Sequence, residues 1–186
     1  MKKIIFGLLC AGVLAAADQS FNLDPAKTEI AFSIHSTLHN VDGTFKLKRG
    51  NIRFDPETGK ASGEIVIDVA SGQSGSGSRD KRMQKEILES SKYPEAIFKP
   101  DRVEGHLAAE GASQIDVHGK FTIQGSEHEL TMHFDAQANG NQYTATTHFT
   151  VPYIAWGMKN PSNFLLKVDD KVEIEVKATL AANERK

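Results

Sequence analysis

The sequence predicts an all-β fold of about eight antiparallel strands, and three observations predict it. Apolar and polar residues alternate with period two through most of the chain. Turn-forming clusters separate the alternating runs at regular intervals. A single segment carries a helical pattern instead.

Residues 28–35 open the alternation, with Ile30, Phe32 and Ile34 on even positions. Residues 41–47 place Val41, Phe45 and Leu47 on one parity, with Gly43 between them. Residues 64–69 repeat the pattern through Ile65, Ile67 and Val69, and residues 115–123 through Ile115, Val117, Phe121 and Ile123. Leu130, Met132, Phe134 and Ala136 follow, then residues 143–151, and finally Val172, Ile174, Val176 and Ala178. Each run sends one set of side chains inward and the other to water. Asp55-Pro56-Glu57-Thr58-Gly59, Gln124-Gly125-Ser126 and Asn139-Gly140-Asn141 supply turns between them. Strands joined this way read as an antiparallel barrel or sandwich.

Residues 71–78 break the pattern as a flexible Gly/Ser tract. It leads into residues 79–89, where Met83, Ile87 and Leu88 share one helical face. Ser78 is placed to cap this helix, and Tyr93-Pro94 lies beyond its end. The halves on either side are too short to be separate barrels, so the tract and helix read as one insertion in a single domain.

The inward set inferred from parity and bulk is Phe32, Ile34, Phe45, Ile65, Ile67, Phe98, Phe121, Ile123, Leu130, Met132, Phe134, Phe149, Trp156 and Phe164. An eight-stranded barrel has an interior that is either filled by side chains or open to one small ligand. Alternation alone leaves both open.

The N-terminus has its own signature. Lys2 and Lys3 precede an apolar run over residues 4–14, and Ala15, Ala16 and Ala17 follow, which predicts a signal peptide over residues 1–17 cleaved before Asp18. Eleven apolar residues are too few for a hydrocarbon core of about 30 Å, which needs roughly 20. Cys10 falls in this leader behind Leu9, where a lipoprotein signal wants a small residue. The expected domain, residues 18–186, is therefore free of cysteine, of single-domain size, and periplasmic or secreted. Without the two leader lysines the chain has 20 basic against 24 acidic residues, and no basic stripe. That argues against a nucleic-acid partner, which needs clustered Lys and Arg.

Seven histidines invite a metal reading, but none forms a His-Glu-x-x-His or a paired His/Cys spacing. His35, His118, His133 and His148 lie on the polar phase of their strands, whereas His39 shares the parity of Val41 or lies in the turn before it. No Gly-x-Ser-x-Gly elbow nominates a nucleophile. These features predict no enzyme, no metal and no cofactor. Arg79-Asp80, an opposite pair at a helix start, reads either as first-turn capping or as part of a ligand mouth.

Taken in order, several motifs resemble the YceI-like family over nearly the whole of residues 18–186. They are Phe32-x-Ile34-His35 with Gly43-Thr44-Phe45, Gly50-x-Ile52-x-Phe54-Asp55, Arg79-Asp80, and Tyr93-Pro94 with Phe98. Gly119-x-Phe121-Thr122-Ile123-x-Gly125, Trp156-Gly157-Met158 and Val172-x-Ile174-x-Val176 complete the set. The resemblance implies an eight-stranded lipocalin-like antiparallel β-barrel, exported, with one short inserted helix. It also implies a binding protein that carries or sequesters a long apolar lipid such as a polyisoprenoid, an isoprenoid quinone or a fatty amide. The inward set would then line a tunnel, His35, Arg79 and Asp80 would stand at its polar mouth, and a homodimer is possible for the family. Two departures stand out. Met83, Ile87 and Leu88 follow Arg79-Asp80 where the family has Leu and Phe-Phe-Asp, and the family's arginine before the Trp156-Gly157 position is missing. An exported enzyme acting on such a lipid, or a solid-cored stress or interaction protein, are the competing readings.

Overall fold

The computed structural model describes residues 18–182. The expected leader, 1–17, and Cys10 within it lie outside these residues. The strands are β1 (Gln19–Leu23), β2 (Glu29–Ile34), β3 (Val41–Phe54), β4 (Ala61–Gln73), β5 (Glu95–Gly105), β6 (Gly111–Ile123), β7 (Ser126–Asn139), β8 (Gln142–Val151) and β9 (Val172–Ala182). Between β4 and β5, α1 (Gly77–Arg82) runs directly into a π turn at Met83–Ile87.

All pairings are antiparallel, and they close into a ring. From β2 the order runs β9, β8, β7, β6, β5, β4 and β3, and β3 returns to β2. β1 and β2 share one place in that ring. β1 pairs with the end of β3 and the end of β9, as in Phe21 with Ile52 and with Ala182. β2 pairs further along the same two strands, as in Ile30 with Phe45 and with Val176. Pro25, which has no N–H and a fixed φ, opens the 3₁₀ turn at Pro25–Lys27 that divides them. The nine strands thus make an eight-stranded closed barrel, which decides for the barrel over the sandwich.

The tight turns fall where the sequence puts them. Gln124 and Gly125 both have positive φ, 50° and 76°, which gives the twist a two-residue hairpin needs between β6 and β7. Gly140 does the same between β7 and β8 with φ 58°. Two expected features differ. The helix starts at Gly77 rather than Arg79, with Ser76 rather than Ser78 at its cap position. β3 continues seven residues beyond 47, because a register shift between Leu47 and Arg49 moves the inward set from Leu47 to Ile52 and Phe54.

The aromatic pair Phe32–Phe45, with ring centroids 5.3 Å apart, depends on the strand residue opposite Phe32, which is Gly43. A Cβ on Gly43 would come within 2.3 Å of both Phe32 Cζ and the Gln73 carbonyl oxygen. Gly43→Val is therefore expected to destabilise the barrel by about 2 kcal/mol or more, because neither the ring nor the neighbouring backbone can yield cheaply. Urea denaturation checks this, and Ile34→Val on the neighbouring strand β2 serves as the mild control.

Candidate functional site: an apolar lumen with a polar mouth

The barrel encloses a cavity of about 390 Å³ along its axis. Volumes of roughly 300–1,000 Å³ are those of small-molecule sites. The wall follows strand parity. β2 contributes Ile30, Phe32 and Ile34, β3 Val41, Phe45, Leu47 and Ile52, and β4 Ile65, Ile67 and Val69. Ala96 and Phe98 of β5, Phe121 and Ile123 of β6, and Leu130, Met132 and Phe134 of β7 continue it. Ala145, Thr147, Phe149 and Val151 of β8 face every second residue from Val172 to Leu180 on β9. Ring partners sit level with one another: Phe98 opposite Phe121, Phe134 opposite Thr147, and Phe149 opposite Ile174.

One end lies beyond an aromatic plug. Phe21 meets Tyr143 edge-on at 5.1 Å and stacks on Phe54 at 6.1 Å, and none of the three lines the cavity. At the other end the connections after β2, β4, β6 and β8 surround the lumen. Met83, Ile87 and Leu88 face it from the inserted helix. The π turn, in which Leu88 N–H donates to the Met83 carbonyl at 2.9 Å, aligns residues five apart and points both at the barrel. Two glutamines fasten this insertion. Gln84 Nε2 donates to the Val69 carbonyl, and Gln124 Nε2 donates to the Ile87 carbonyl, each at 3.0 Å.

The polar side chains of the mouth are bound mainly to one another. Arg79 Nε donates to Ser74 Oγ and Arg79 Nη2 to the Ser74 carbonyl, both at 2.7 Å. Ser74 N–H and Oγ–H both donate to Asp80 Oδ1. The pair thus knots the Gly/Ser tract around the buried Ser74. Arg79 also lines the cavity, whereas Asp80 does not. Tyr153 and Met158 close the wall after β8. Tyr153 is buried and donates its hydroxyl to the Asp169 carbonyl at 2.7 Å. Burial first, then the Asp170 and Asp169 carboxylates, push its pKa up to about 12.

Twelve of the fourteen residues of the inferred apolar set line the cavity, and Trp156 and Phe164 do not. Trp156 lies flat on His128, ring centroids 4.1 Å apart, and tilts against Phe121, the residue opposite His128, at 6.0 Å. Its place is a turn, with Trp156 N–H donating to the Pro152 carbonyl, so strand parity does not govern it. Phe164 is a plain correction: it is 96% exposed. Asn163 Oδ1 accepts from Leu165 and Leu166 N–H, and this tight tip turns Phe164 to solvent and Leu166 back to the cavity. His35 is also off the lumen, exposed and bonded to Asn40 Oδ1 at 2.6 Å, while His39 reaches the mouth. On the outer face His133 meets Asp116 at 2.6 Å and His148 meets Glu175 at 3.3 Å.

Parity reasoning missed Thr147. It is 1% exposed, faces the lumen halfway along β8, and its hydroxyl has no hydrogen-bond partner among the described residues. A threonine on an apolar phase is invisible to a count of bulky apolar residues.

A closed eight-stranded barrel with an apolar lumen and one loop-lined mouth is an architecture with room for an apolar small molecule. The model of the YceI-like domain matches residues 21–180, and the chain belongs to that family. Solved structures agree on the fold. BcnA of Burkholderia cenocepacia superposes with a TM-score of 0.68 at 20% identity, over 84% of this chain and 98% of that one. A polyisoprenoid binding domain from Saccharophagus degradans gives 0.68 at 15% identity, over 88% and 98%. The YCEI protein of Campylobacter jejuni gives 0.58 at 13% identity, over 99% and 94%. No curated protein sequence matches the chain.

Two predictions arise from these side chains. Thr147→Val exchanges an unpaired buried hydroxyl for a methyl and is expected to stabilise the unliganded protein by about 1 kcal/mol in urea denaturation. Tyr153 ionises near 10 in the unfolded chain and near 12 in the barrel. Between those values the native state holds a proton that the unfolded state has lost. The stability contributed is full below pH 10 and falls as pH rises towards 12, by at most about 1.4 kcal/mol per unit. Unfolding measured from pH 9 to 12 is expected to show this slope in the wild type and to lose it in Tyr153→Phe.

Proposed function

We propose that this is an exported protein that carries or sequesters a long apolar lipid, of the polyisoprenoid, isoprenoid quinone or fatty amide kind, inside the barrel. The observation that carries the reading is the continuous apolar wall from Val172 to Leu180 on β9, faced by Phe98, Phe121 and Met132. Eight residues of strand at about 3.3 Å each, tilted by roughly 40°, give a lumen about 20 Å deep. That shape suits a chain rather than a compact metabolite. A chain of about 20 carbons gains on the order of 16 kcal/mol from burial, against an association cost of about 4–15 kcal/mol. Affinity therefore comes from the walls, and Arg79 and His39 at the mouth are left to select among head groups.

Membership of the YceI-like family and the polyisoprenoid binding of the Saccharophagus degradans domain support this choice of ligand class. The leader read over residues 1–17 supports a periplasmic or secreted location, where a lipid has no bilayer around it. The hydroxyls of Ser74 and Tyr153 are engaged in structural bonds.

Purification from the native host, solvent extraction and mass spectrometry test the proposal. Stoichiometric recovery of one prenyl or acyl lipid is expected, on a chain whose N-terminal sequence starts at Asp18. Met132→Lys, placed in mid-wall, is expected to lose at least 90% of that lipid on the cost of burying an unpaired charge. A folded Met132→Lys that retains its lipid, or a wild type that yields none and takes up no fluorescent prenyl probe, overturns the reading.

A further inference from the structure

We propose that the mouth of the barrel docks onto a lipid bilayer with anionic head groups, through Leu38, Phe164 and Leu165. These are the large hydrophobic residues most exposed among the described ones, at 75%, 96% and 84%. Scattered surface apolar residues need no explanation, but contiguous ones mark interaction surfaces. Here all three belong to two loops at one end, the connections after β2 and after β8.

The two loops are tied into one ridge. Thr37 N–H donates to the Lys167 carbonyl at 3.0 Å, and Ser36 bridges Val168. The Asn163 side chain holds the tip at Leu165 and Leu166 by 2.9 Å and 2.8 Å bonds. Phe164 is thus presented by a built turn. The ridge is also continuous with the lumen, because Leu38 and Leu166 line the cavity as well. A chain leaving the barrel by this route moves over apolar atoms until it reaches the exposed tips.

Charge selects the partner. The four connections of the mouth, residues 35–40, 74–94, 124–125 and 152–171, hold eight Lys and Arg against five Asp and Glu. That is a balance of +3 in a chain whose net charge is −2. The connections at the opposite end, 55–60, 106–110 and 140–141, hold one Lys against three acids. Lys81, Lys85, Lys167 and Lys171 have no ion-pair partner among the described residues. Apolar tips ringed by free cations match the boundary between acyl chains and anionic head groups. The same membrane is the phase in which a prenyl or acyl cargo dissolves, so the docking reading rests on the lumen being a lipid site.

The test floats the purified protein with vesicles of phosphatidylcholine, alone and with a quarter phosphatidylglycerol, and follows transfer of a fluorescent prenyl probe. The wild type is expected to float with the anionic vesicles and to extract probe from them. Phe164→Ser with Leu165→Ser, both solvent-exposed and so harmless to folding, is expected to weaken flotation and slow extraction by about tenfold or more. Uptake of probe delivered in solution stays unchanged. Absence of flotation by the wild type, or equal flotation by the double variant, overturns the docking surface. A wild-type dimer that the double variant converts to monomer, with no flotation by either, assigns the face to a second copy and also overturns it. Failure of the wild type to take up probe from solution overturns the lipid site itself, whatever the vesicles show.

Discussion

Closure of the backbone ladder is the constraint on which the rest depends. An open nine-stranded sheet would expose one apolar face and two edges, and would need a second layer to cover them. The β3–β4 ladder removes that need by bringing Phe54 opposite Ala61 and Gly50 opposite Ile65. Once the ring is closed, every strand is paired on both sides and the apolar face covers itself. The wall is then held by hydrogen bonds between neighbours rather than by contacts across the middle. That is why a cavity can persist along the axis of a domain whose inward residues are almost all apolar. The division of one ring position between β1 and β2 serves the same end, since β1 brings Phe21 to the plug while β2 brings Phe32 to the mouth.

The polar chemistry at the mouth is organised around Ser74 rather than around the lumen. Its N–H, hydroxyl and carbonyl are all bonded to the Arg79 and Asp80 side chains. A Gly/Ser tract in isolation pays conformational entropy to adopt one path. The Arg79–Asp80 knot, with charged groups as partners, is the sort of bonding strong enough to offset it. The two readings of this pair in the sequence, capping and mouth, are therefore both incomplete. Asp80 orders the loop, and Arg79 orders it while also lining the cavity.

How much was legible in the sequence follows from where period two applies. It applies on β2, β4, β6, β7 and β9, and there Phe32, Ile65, Phe121, Met132 and Ile174 are where alternation puts them. It fails at irregularities. A register shift beyond Leu47 hides the second half of β3, and Pro100, with another shift beside it, masks β5 although Phe98 within it was identified. Loop residues have no period at all, so Trp156 and Phe164, chosen for bulk, took positions set by local turns. Thr147 shows the opposite failure: its phase is right, but its chemistry reads as polar surface. The π turn at Met83–Ile87 was beyond reach, because the same three apolar residues suit an ordinary helix equally well.

The two ends of the barrel differ in a way that constrains how any cargo is held. At the plug, Phe21, Phe54 and Tyr143 fill the barrel by ring contacts that no loop motion would open. At the mouth the covering elements are the inserted helix and the connection after β8, joined by few bonds: Lys159 to Glu86, and Arg82 to the Pro161 carbonyl. Exposed contacts of this kind are screened by solvent and stabilise little. Opening the mouth is thus cheap compared with opening the wall, where a strand pair shares a ladder of backbone bonds. An apolar chain of the proposed kind would then enter and leave by the same end, with its last-buried part at the mouth. Its deep end would meet side chains that discriminate by shape, with Thr147 as the one buried hydroxyl left unpaired among the described residues. Under the proposed lipid-binding function, the barrel separates two tasks by depth: the wall supplies affinity for a chain, and the mouth governs which chains arrive and how fast.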